Sequence, residues 1–394
     1  MRVALIGAFG LRRKMTMTRR ALPLARALVA RGHSVRVVVP PWDCPEDSGR
    51  VWVDAGVEVV NIRLPPRLPA VAHLWMVARL LRAALAFRPQ LLHCFKPKAY
   101  AGLVASAVRA LQRLQWWAGR LLIDADDWEG CAGWRNLVGY SWGQQRFFEW
   151  QEQWGLRHCD AVTVASRWLE NRVATIREGA NNVWYLPNGV GQEIVTVRRV
   201  AKLAPTVLLY TRFVECDETV VLGIWRRVIQ EIPTARLLVA GAGLQQEELE
   251  LVRLASREGL SDQIELLGWV NSWAMSAILA GVDVAMQPVV DTDLARAKCP
   301  ARLLDLMAAG IPVVTQALGE YAEIVDDGIS GVLVPPGDQP AMAVALIGLL
   351  QDADQRSRMG AAAQERARTL FAWEDLVVQL EQAYCALSEE NGRS

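Results

Sequence analysis

The sequence predicts an α/β protein built from two Rossmann-like, doubly wound domains facing a cleft. Three observations predict it. Short apolar runs of strand length alternate with helical patterns along nearly the whole chain. The alternation breaks between Gly191 and Pro205, where charges and a proline intervene, and then begins again. The 394 residues also exceed the roughly 250–300 at which a single hydrophobic core stops growing. The domains are placed at 1–195 and 196–370, with a helix over 371–394 packing back toward the first domain.

Each element follows from its pattern. VALIGAF is a buried strand that ends in glycine turns, and a helix from Thr18 to Ala30 closes at Gly32. SVRVVV (Ser34–Val39) is the next strand, stopped by Pro40 and Pro41, which makes a right-handed strand-helix-strand crossover. GVEVVNI is a strand, Ala70 to Ala86 an amphipathic helix, QLLHCF a strand, Ala99 to Trp117 a helix and RLLIDAD a strand. DAVTVAS and NVWYLPN complete the first series. In the second, TVLLYTR, ARLLVAGAG, QIELLGW, DVAMQPV, IPVVTQ and GVLVPP are strands. Its helices are Glu218 to Glu231, Gln245 to Glu258, Pro300 to Ala309 and Gln339 to Leu350, with one or two more over Ala361 to Leu387.

Composition narrows the function. The chain is 52% hydrophobic and 22% charged, an ordinary globular balance. A net charge of +1 gives no overall field toward nucleic acid, which is not expected as a partner. The seven cysteines are odd in number and form no C-x-x-C pair, which argues against a disulfide framework or zinc site and suits a reducing cytoplasm. MRVALIGAFG lacks the length and cleavage site of a signal peptide. The most apolar stretch, Ala70 to Phe87, carries Arg79 and Arg82, so a membrane-spanning helix is not expected. Seven of the 16 tryptophans (Trp116, Trp117, Trp128, Trp134, Trp142, Trp150 and Trp154) crowd one region. Core packing, stacking on sugar rings and seating at a membrane interface all fit them.

The most specific segment is PARLLDLMAAGIPVVTQALGEYAEIVDDGISGVLVPPGD, Pro300 to Asp338. Pro300 opens a helix whose N-terminal N–H groups make an anion site. Gly310 caps the helix in the left-handed conformation and Val313-Val314 begin a strand. AAGIPVV, GEYAEIV, DDGISGVLV and PPGD resemble, in that order, the signature of the family-4 retaining glycosyltransferases, which have the B-type fold (GT-B). RGHSVRVVVP, YLPNGV, LLYTRF, LLVAGAG and LLGWV are similar to further family segments, so the resemblance runs from about residue 2 to 380.

That resemblance implies a donor site. Arg212 matches the arginine that holds the donor diphosphate, work that suits an always-charged, forked guanidinium. The lysine that usually follows is replaced by Glu215-Cys216-Asp217, and Lys298 is the candidate substitute. Backbone N–H groups of Ala301, Arg302 and Leu303 would face the phosphates. Asp305 stands where a glutamate usually accepts from the ribose, and Gly268, Trp269 and Val270 form the turn that reads the base. The family's other glutamate would fall at Ala297, which has no carboxylate; AKCPARLLD resembles a variant form with a Lys-x-Pro entry to the helix. The donor would be a nucleotide-diphosphate sugar, with no cofactor and no metal. Asp291-Thr292-Asp293 reads as a loop, because D-x-D metal sites belong to the other glycosyltransferase fold.

On the acceptor side the loop from Gly10 to Arg20 carries five cations, which suit phosphates or simple solvation. Gly10 is taken as a donor contact. Asp124, Asp126, Asp127 and Glu129 end a strand, where side chains face the cleft; Asp126 and Asp127 are candidates to orient or deprotonate an acceptor hydroxyl. His93 reads either as a third candidate at the cleft or as a packed strand-end histidine. No dinucleotide fingerprint is present, which disfavours a nicotinamide enzyme. The expected activity is hexosyl transfer to a hydroxyl, with retention implied by the family, in polysaccharide or glycolipid assembly. A non-catalytic nucleotide-sugar-binding or scaffold protein of the same fold is the alternative. The arginine-bearing helices Val71 to Phe87 and Leu103 to Trp117 fit both a lipid-linked acceptor at the inner face of a membrane and plain packing.

Overall fold

A computed structural model describes residues 1–12, 14–65, 71–137, 139–191 and 204–390. The chain divides into two compact units. The first holds Met1–Pro187, Ala297–Cys299 and Trp373–Ser394; the second holds Asn188–Arg296 and Pro300–Ala372. The interruption read between Gly191 and Pro205 falls largely on 192–203, outside the described residues.

The first unit runs β1 (Arg2–Gly7), α1 (Leu22–Ala30), β2 (Ser34–Val39), β3 (Val51–Asp54), β4 (Val57–Asn61), α2 (Val71–Leu85), β5 (Leu91–Phe95), α3 (Ala99–Arg113), β6 (Arg120–Ala125), α4 (Trp142–His158), β7 (Ala161–Val164), α5 (Arg167–Arg177) and β8 (Val183–Tyr185). Its eight strands lie in the order β3-β4-β2-β1-β5-β6-β7-β8. All pair in parallel except edge strand β3, which the sequence reading missed because VWVD is short and half exposed. β1, β5, β6 and β7 are apolar almost throughout, as strands covered on both faces must be.

The second unit runs β9 (Thr206–Tyr210), α6 (Glu218–Glu231), β10 (Arg236–Ala240), α7 (Glu247–Arg257), β11 (Ile264–Gly268), α8 (Ser272–Leu279), β12 (Val284–Gln287), α9 (Asp293–Ala297), α10 (Ala301–Ala308), β13 (Val313–Gln316), α11 (Glu320–Ile324), β14 (Gly331–Val334), α12 (Gln339–Gln351) and α13 (Ala353–Leu370). Its sheet, β11-β10-β9-β12-β13-β14, is parallel throughout. Asp217, Asn271 and Asp338 cap α6, α8 and α12 with side-chain oxygens on first-turn N–H groups.

The last helix, α14 (Trp373–Glu390), returns to the first unit. Trp373, Leu376, Val377, Leu380, Tyr384 and Leu387 enter that unit's core cluster. Two expected helices differ from the reading. The one placed from Thr18 opens as a π-helical turn, Met17–Ala21, ahead of α1, and α13 starts well before Ala361.

Candidate active site

The first sheet's strand order reverses between β1 and β5. In open α/β sheets, ligands bind beyond the strand carboxyl ends at such a point. Three segments deliver polar groups there, two of them charged. Lys96, one residue past β5, is buried and adopts a left-handed φ of +68°, a strained conformation of the kind that collects at functional sites. Its Nζ lies 3.0 Å from Asp126 Oδ1, 2.9 Å from Asp127 Oδ2 and 3.1 Å from Glu129 Oε1. Lys98 pairs with Glu129. Thr16, from the β1–α1 loop, donates its hydroxyl to Asp126 Oδ2 at 3.0 Å.

The environment separates the carboxylates. Burial pushes Asp126 up, and Asp127 and Asp124 add repulsion that Lys96 only partly offsets, so it reaches about 6. Asp127 is also penalised by burial, but Lys96 and Lys298 outweigh it and hold the group below its ordinary value. Glu129 is depressed likewise: Lys96 and Lys98 overcome its burial. Glu152 on α4 accepts the Glu129 backbone N–H through Oε1 at 2.9 Å, while its Oε2 is buried without a partner. Burial, reinforced by Glu129, lifts it to about 8. A buried acid near neutrality beside ionised neighbours marks a functional-site candidate.

Beneath this cluster lies a fully paired polar chain. Arg20, carried by the π-helical turn, forks onto Asp124 with Nε–Oδ2 and Nη2–Oδ1 both 2.8 Å. It also donates to the carbonyls of Leu186 at 2.8 Å and Pro187 at 3.1 Å. Thr163 donates to Asp124 at 2.6 Å, so its oxygen accepts from His93 Nε2–H at 3.2 Å, and Tyr384 donates to His93 Nδ1 at 2.9 Å. Of the two readings of His93, the packed one describes it and the place at the cleft does not. It is 0% exposed, neutral, and depressed to about 4 by desolvation. It packs in the core as one side of an Asp124 relay and is not presented at the strand end.

In the second unit the order reverses between β9 and β12. Arg212 follows β9 and is half-buried. The next residue, Phe213, has φ +54° and donates its N–H to Thr211 Oγ1 at 2.9 Å, a tight turn that aims the arginine. Arg302, in the first turn of α10, stacks its guanidinium 5.1 Å from the Tyr210 ring centre at the end of β9. The N–H groups of Ala301 and Arg302 lie in that first turn, where no helical acceptor exists. Leu303 is corrected: its side chain is fully buried and its N–H already donates to Pro300 O at 3.0 Å. Asp305 is half-buried one turn further. Gly268 has φ +61° and ends β11 beside exposed Trp269 and half-buried Val270. Gly241 has φ +116°, and a Cβ there would meet Thr211 O at 1.8 Å.

The remaining expectations distribute as follows. Gly10 is corrected: its N–H donates to Asp43 Oδ1 at 2.8 Å, so that amide is committed within the protein. Lys298 groups with the first unit, its Nζ 5.0 Å from the Trp134 ring centre. Ala297 is fully buried in the first unit's core cluster. Asp291 forks with Arg296 and Thr292 caps α9. Asp217, where the family carries its lysine stretch, instead caps α6. Lys96, Lys98, Thr16 and Glu152 were missed. Lys96 stands just past an apolar strand, the one signal that marked it.

Two family models match the chain: "Glycosyl transferase 4-like domain" over residues 16–189 and "Glycosyl transferases group 1" over 204–352. A phosphatidyl-myo-inositol mannosyltransferase of Mycobacterium leprae is 30% identical over 205 residues, 50% of this chain and 52% of that protein. The chain spans about half the length of the curated relatives it matches. Among solved structures, sucrose-phosphate synthase from Thermosynechococcus elongatus superposes with a TM-score of 0.74 at 20% identity, covering 99% of this chain and 100% of that one. The catalytic domain of starch synthase IV from Arabidopsis thaliana, bound to ADP and acarbose, gives 0.72 at 15% identity, covering 98% and 99%. With both halves matched in order and the fold shared, the chain belongs to the family-4-like glycosyltransferases of the B-type fold.

Proposed function

We propose that the chain transfers a hexose from a nucleotide-diphosphate sugar to an acceptor hydroxyl, with retention and without a metal. The observation that carries the donor half is the pair of arginines at the second sheet's reversal point, Arg212 past β9 and Arg302 over Tyr210. Two guanidiniums and the first-turn N–H groups of α10 are a preorganised receptor for a diphosphate. They stabilise it most as it leaves and gathers charge. Asp305 is the proposed ribose partner, and the Gly268–Val270 turn the base contact.

In the proposed reaction the bond from the anomeric carbon to the diphosphate oxygen breaks and its electron pair stays on the diphosphate. The acceptor oxygen bonds the anomeric carbon, and its proton passes to the carboxylate of Asp126. That group suits the task because a base works best when its pKa lies near the operating pH, and Asp126 is lifted to about 6. Lys96 and Thr16 fix its two oxygens. Asp127, held ionised, orients the acceptor beside it.

The acceptor is proposed to be a glycan or a lipid-linked polyol at a membrane surface. The mycobacterial relative's name, which includes phosphatidyl-myo-inositol, supports the second. No helix among the described residues is long and apolar enough to cross a membrane. If the protein stays wholly in the supernatant with sedimented anionic vesicles, surface association is wrong.

The donor assignment is tested by thermal shift with UDP, GDP, ADP, dTDP and their sugar conjugates, without added metal. Ligand at about 100 times its Kd stabilises the native state by roughly 2.7 kcal/mol. One nucleotide series should raise Tm, and Arg212→Ala should abolish the response. An unchanged response in that variant removes Arg212 from the site.

A further inference from the structure

Asp126, Asp127, Glu129 and Glu152 crowd around Lys96 and Lys98, and the positive charge runs out before it reaches Glu152. That acid, on α4, is 1% exposed. Its Oε1 accepts the Glu129 N–H at 2.9 Å, and its Oε2 is buried with no partner. Both lysines are engaged with the other three acids. Lys98 holds Glu129 Oε2, while Lys96 holds Glu129 Oε1, Asp126 Oδ1 and Asp127 Oδ2. Space is equally tight. A Cβ on Gly130 would lie 2.9 Å from Glu152 Oε2 and 2.9 Å from Trp128 Cζ2, so the glycine is what lets the loop close over the acid.

We propose that Glu152 is the positioning residue for the acid-bearing loop Asp126–Glu129, and that it works only while its carboxyl carries a proton. The proposal rests on the reading of Asp126 as the acceptor-side base and adds what holds that base in place. The contacts run in one line: Glu152 Oε1 to the Glu129 amide, Glu129 Oε1 to Lys96 Nζ at 3.1 Å, and Lys96 Nζ to Asp126 Oδ1 at 3.0 Å. A neutral Glu152 accepts the amide without adding charge. An ionised one sets a buried negative charge against Glu129, and an uncompensated charge of that kind is costly. Burial and Glu129 therefore favour the proton, and the Glu129 N–H, Lys98 and Lys96 oppose them without prevailing. The other charges on the packed elements act on other groups. Lys14 of the β1–α1 loop acts on Lys98 and Glu129, and Lys298 acts on Asp127. Arg172 of α5 lies 5.0 Å from the Trp128 ring centre, and Glu149 of α4 pairs with Arg135 and Arg146. When the proton leaves, the loop relieves the repulsion by lifting from α4. Glu129 then draws Lys96 with it, and Asp126 loses the cation on Oδ1.

The test is hydrogen-exchange mass spectrometry of residues 126–135 in the full chain. It is run about one pH unit below and one above 8, each rate divided by that of the unfolded segment. Protection in wild type should fall roughly tenfold across the step, following the neutral fraction of Glu152. Glu152→Gln keeps the acceptor oxygen and never ionises, so it should hold its protection. Equal protection in wild type at both pH values overturns the proposal, as does the same loss in Glu152→Gln. Turnover reads the same device. In wild type kcat/KM should fall above about 8, and in Glu152→Gln that alkaline fall should vanish while the acid limb of Asp126 stays. An alkaline limb that persists in Glu152→Gln overturns the proposal. Near neutral pH, Glu152→Ala should lose on the order of 10²-fold in kcat, the scale of a misplaced catalytic group, with the donor's KM unchanged. Glu152→Gln should recover that loss, and if the alanine variant does not fold, the glutamine comparison decides. A wild type that turns over no donor removes the glycosyl-transfer reading, and exchange alone then decides whether Glu152 clamps the loop.

Discussion

Asp126 and Asp124 stand two residues apart and are treated oppositely. Asp124 is fully buried yet held ionised, because burial is outweighed by the Arg20 fork and the Thr163 hydroxyl. Asp126 shares one lysine with two other carboxylates and rises to about 6. If Asp126 takes the acceptor proton, kcat/KM should fall as pH drops through about 6, and Asp126→Asn should lose on the order of 10²–10⁴ in rate. A rate in Asp126→Asn equal to wild type would remove it from the mechanism. Arg20→Leu should instead lower stability, by about 3–5 kcal/mol, because it strands a buried carboxylate; urea unfolding reads this directly. Glu152 gives a pH signature. Its folded value of about 8 lies above the ordinary 4.5, so the native state keeps a proton that the unfolded chain releases. That stabilisation is complete below 4.5 and is lost as pH rises through about 8. Stability should therefore decline across that window, and Glu152→Gln should flatten the decline in a urea series. A slope unchanged by the substitution would mean Glu152 is ionised in the native protein.

At the scale of elements, legibility followed periodicity. β1, β2, β5, β6, β7 and β9 announce themselves as apolar runs because both faces are covered. α10 was legible from Pro300 and Gly310, its opening and closing residues. α4 was not, since aromatic and glutamine side chains replace the aliphatic stripe that helix reading depends on. The site divides the same way. Acids at the end of β6 were legible because a strand end points at a known place in the fold. The lysine that holds them was not, because φ +68° at Lys96 is decided by the contacts it makes. His93 stayed open between two readings for a related reason. Strand position alone cannot tell a side chain at the rim from one that hydrogen-bonds to α14. Gly241 tests the element-level account of the donor side. With φ +116° and a Cβ position 1.8 Å from Thr211 O, Gly241→Ala should force β9 and β10 apart at their carboxyl ends. Tm should fall by several degrees and nucleotide response should weaken. A variant with unchanged Tm would show that those strand ends yield without cost.

For the whole molecule, two family models matched in series and a shared fold establish kinship. Activity is a further claim, and Ala297 makes it a sharp one. Where the family's signature has a carboxylate, this chain buries an alanine in the core cluster of the first unit, so any charge needed at the donor sugar must come from elsewhere. In the proposed reaction that work falls to Arg212, Arg302 and the α10 amides on the diphosphate, and to Asp126 on the acceptor. The measurement that tests it most directly is time-resolved proton NMR of the nucleotide sugar identified by thermal shift, incubated with candidate glycan and polyol acceptors, in wild type and in Arg212→Ala. Consumption of the donor should release one nucleoside diphosphate per new glycoside, the product should keep the donor's anomeric configuration, and Arg212→Ala should stop the reaction. A donor that binds tightly and is never consumed by wild type would contradict catalysis and identify the chain as a nucleotide-sugar-binding protein on a glycosyltransferase fold.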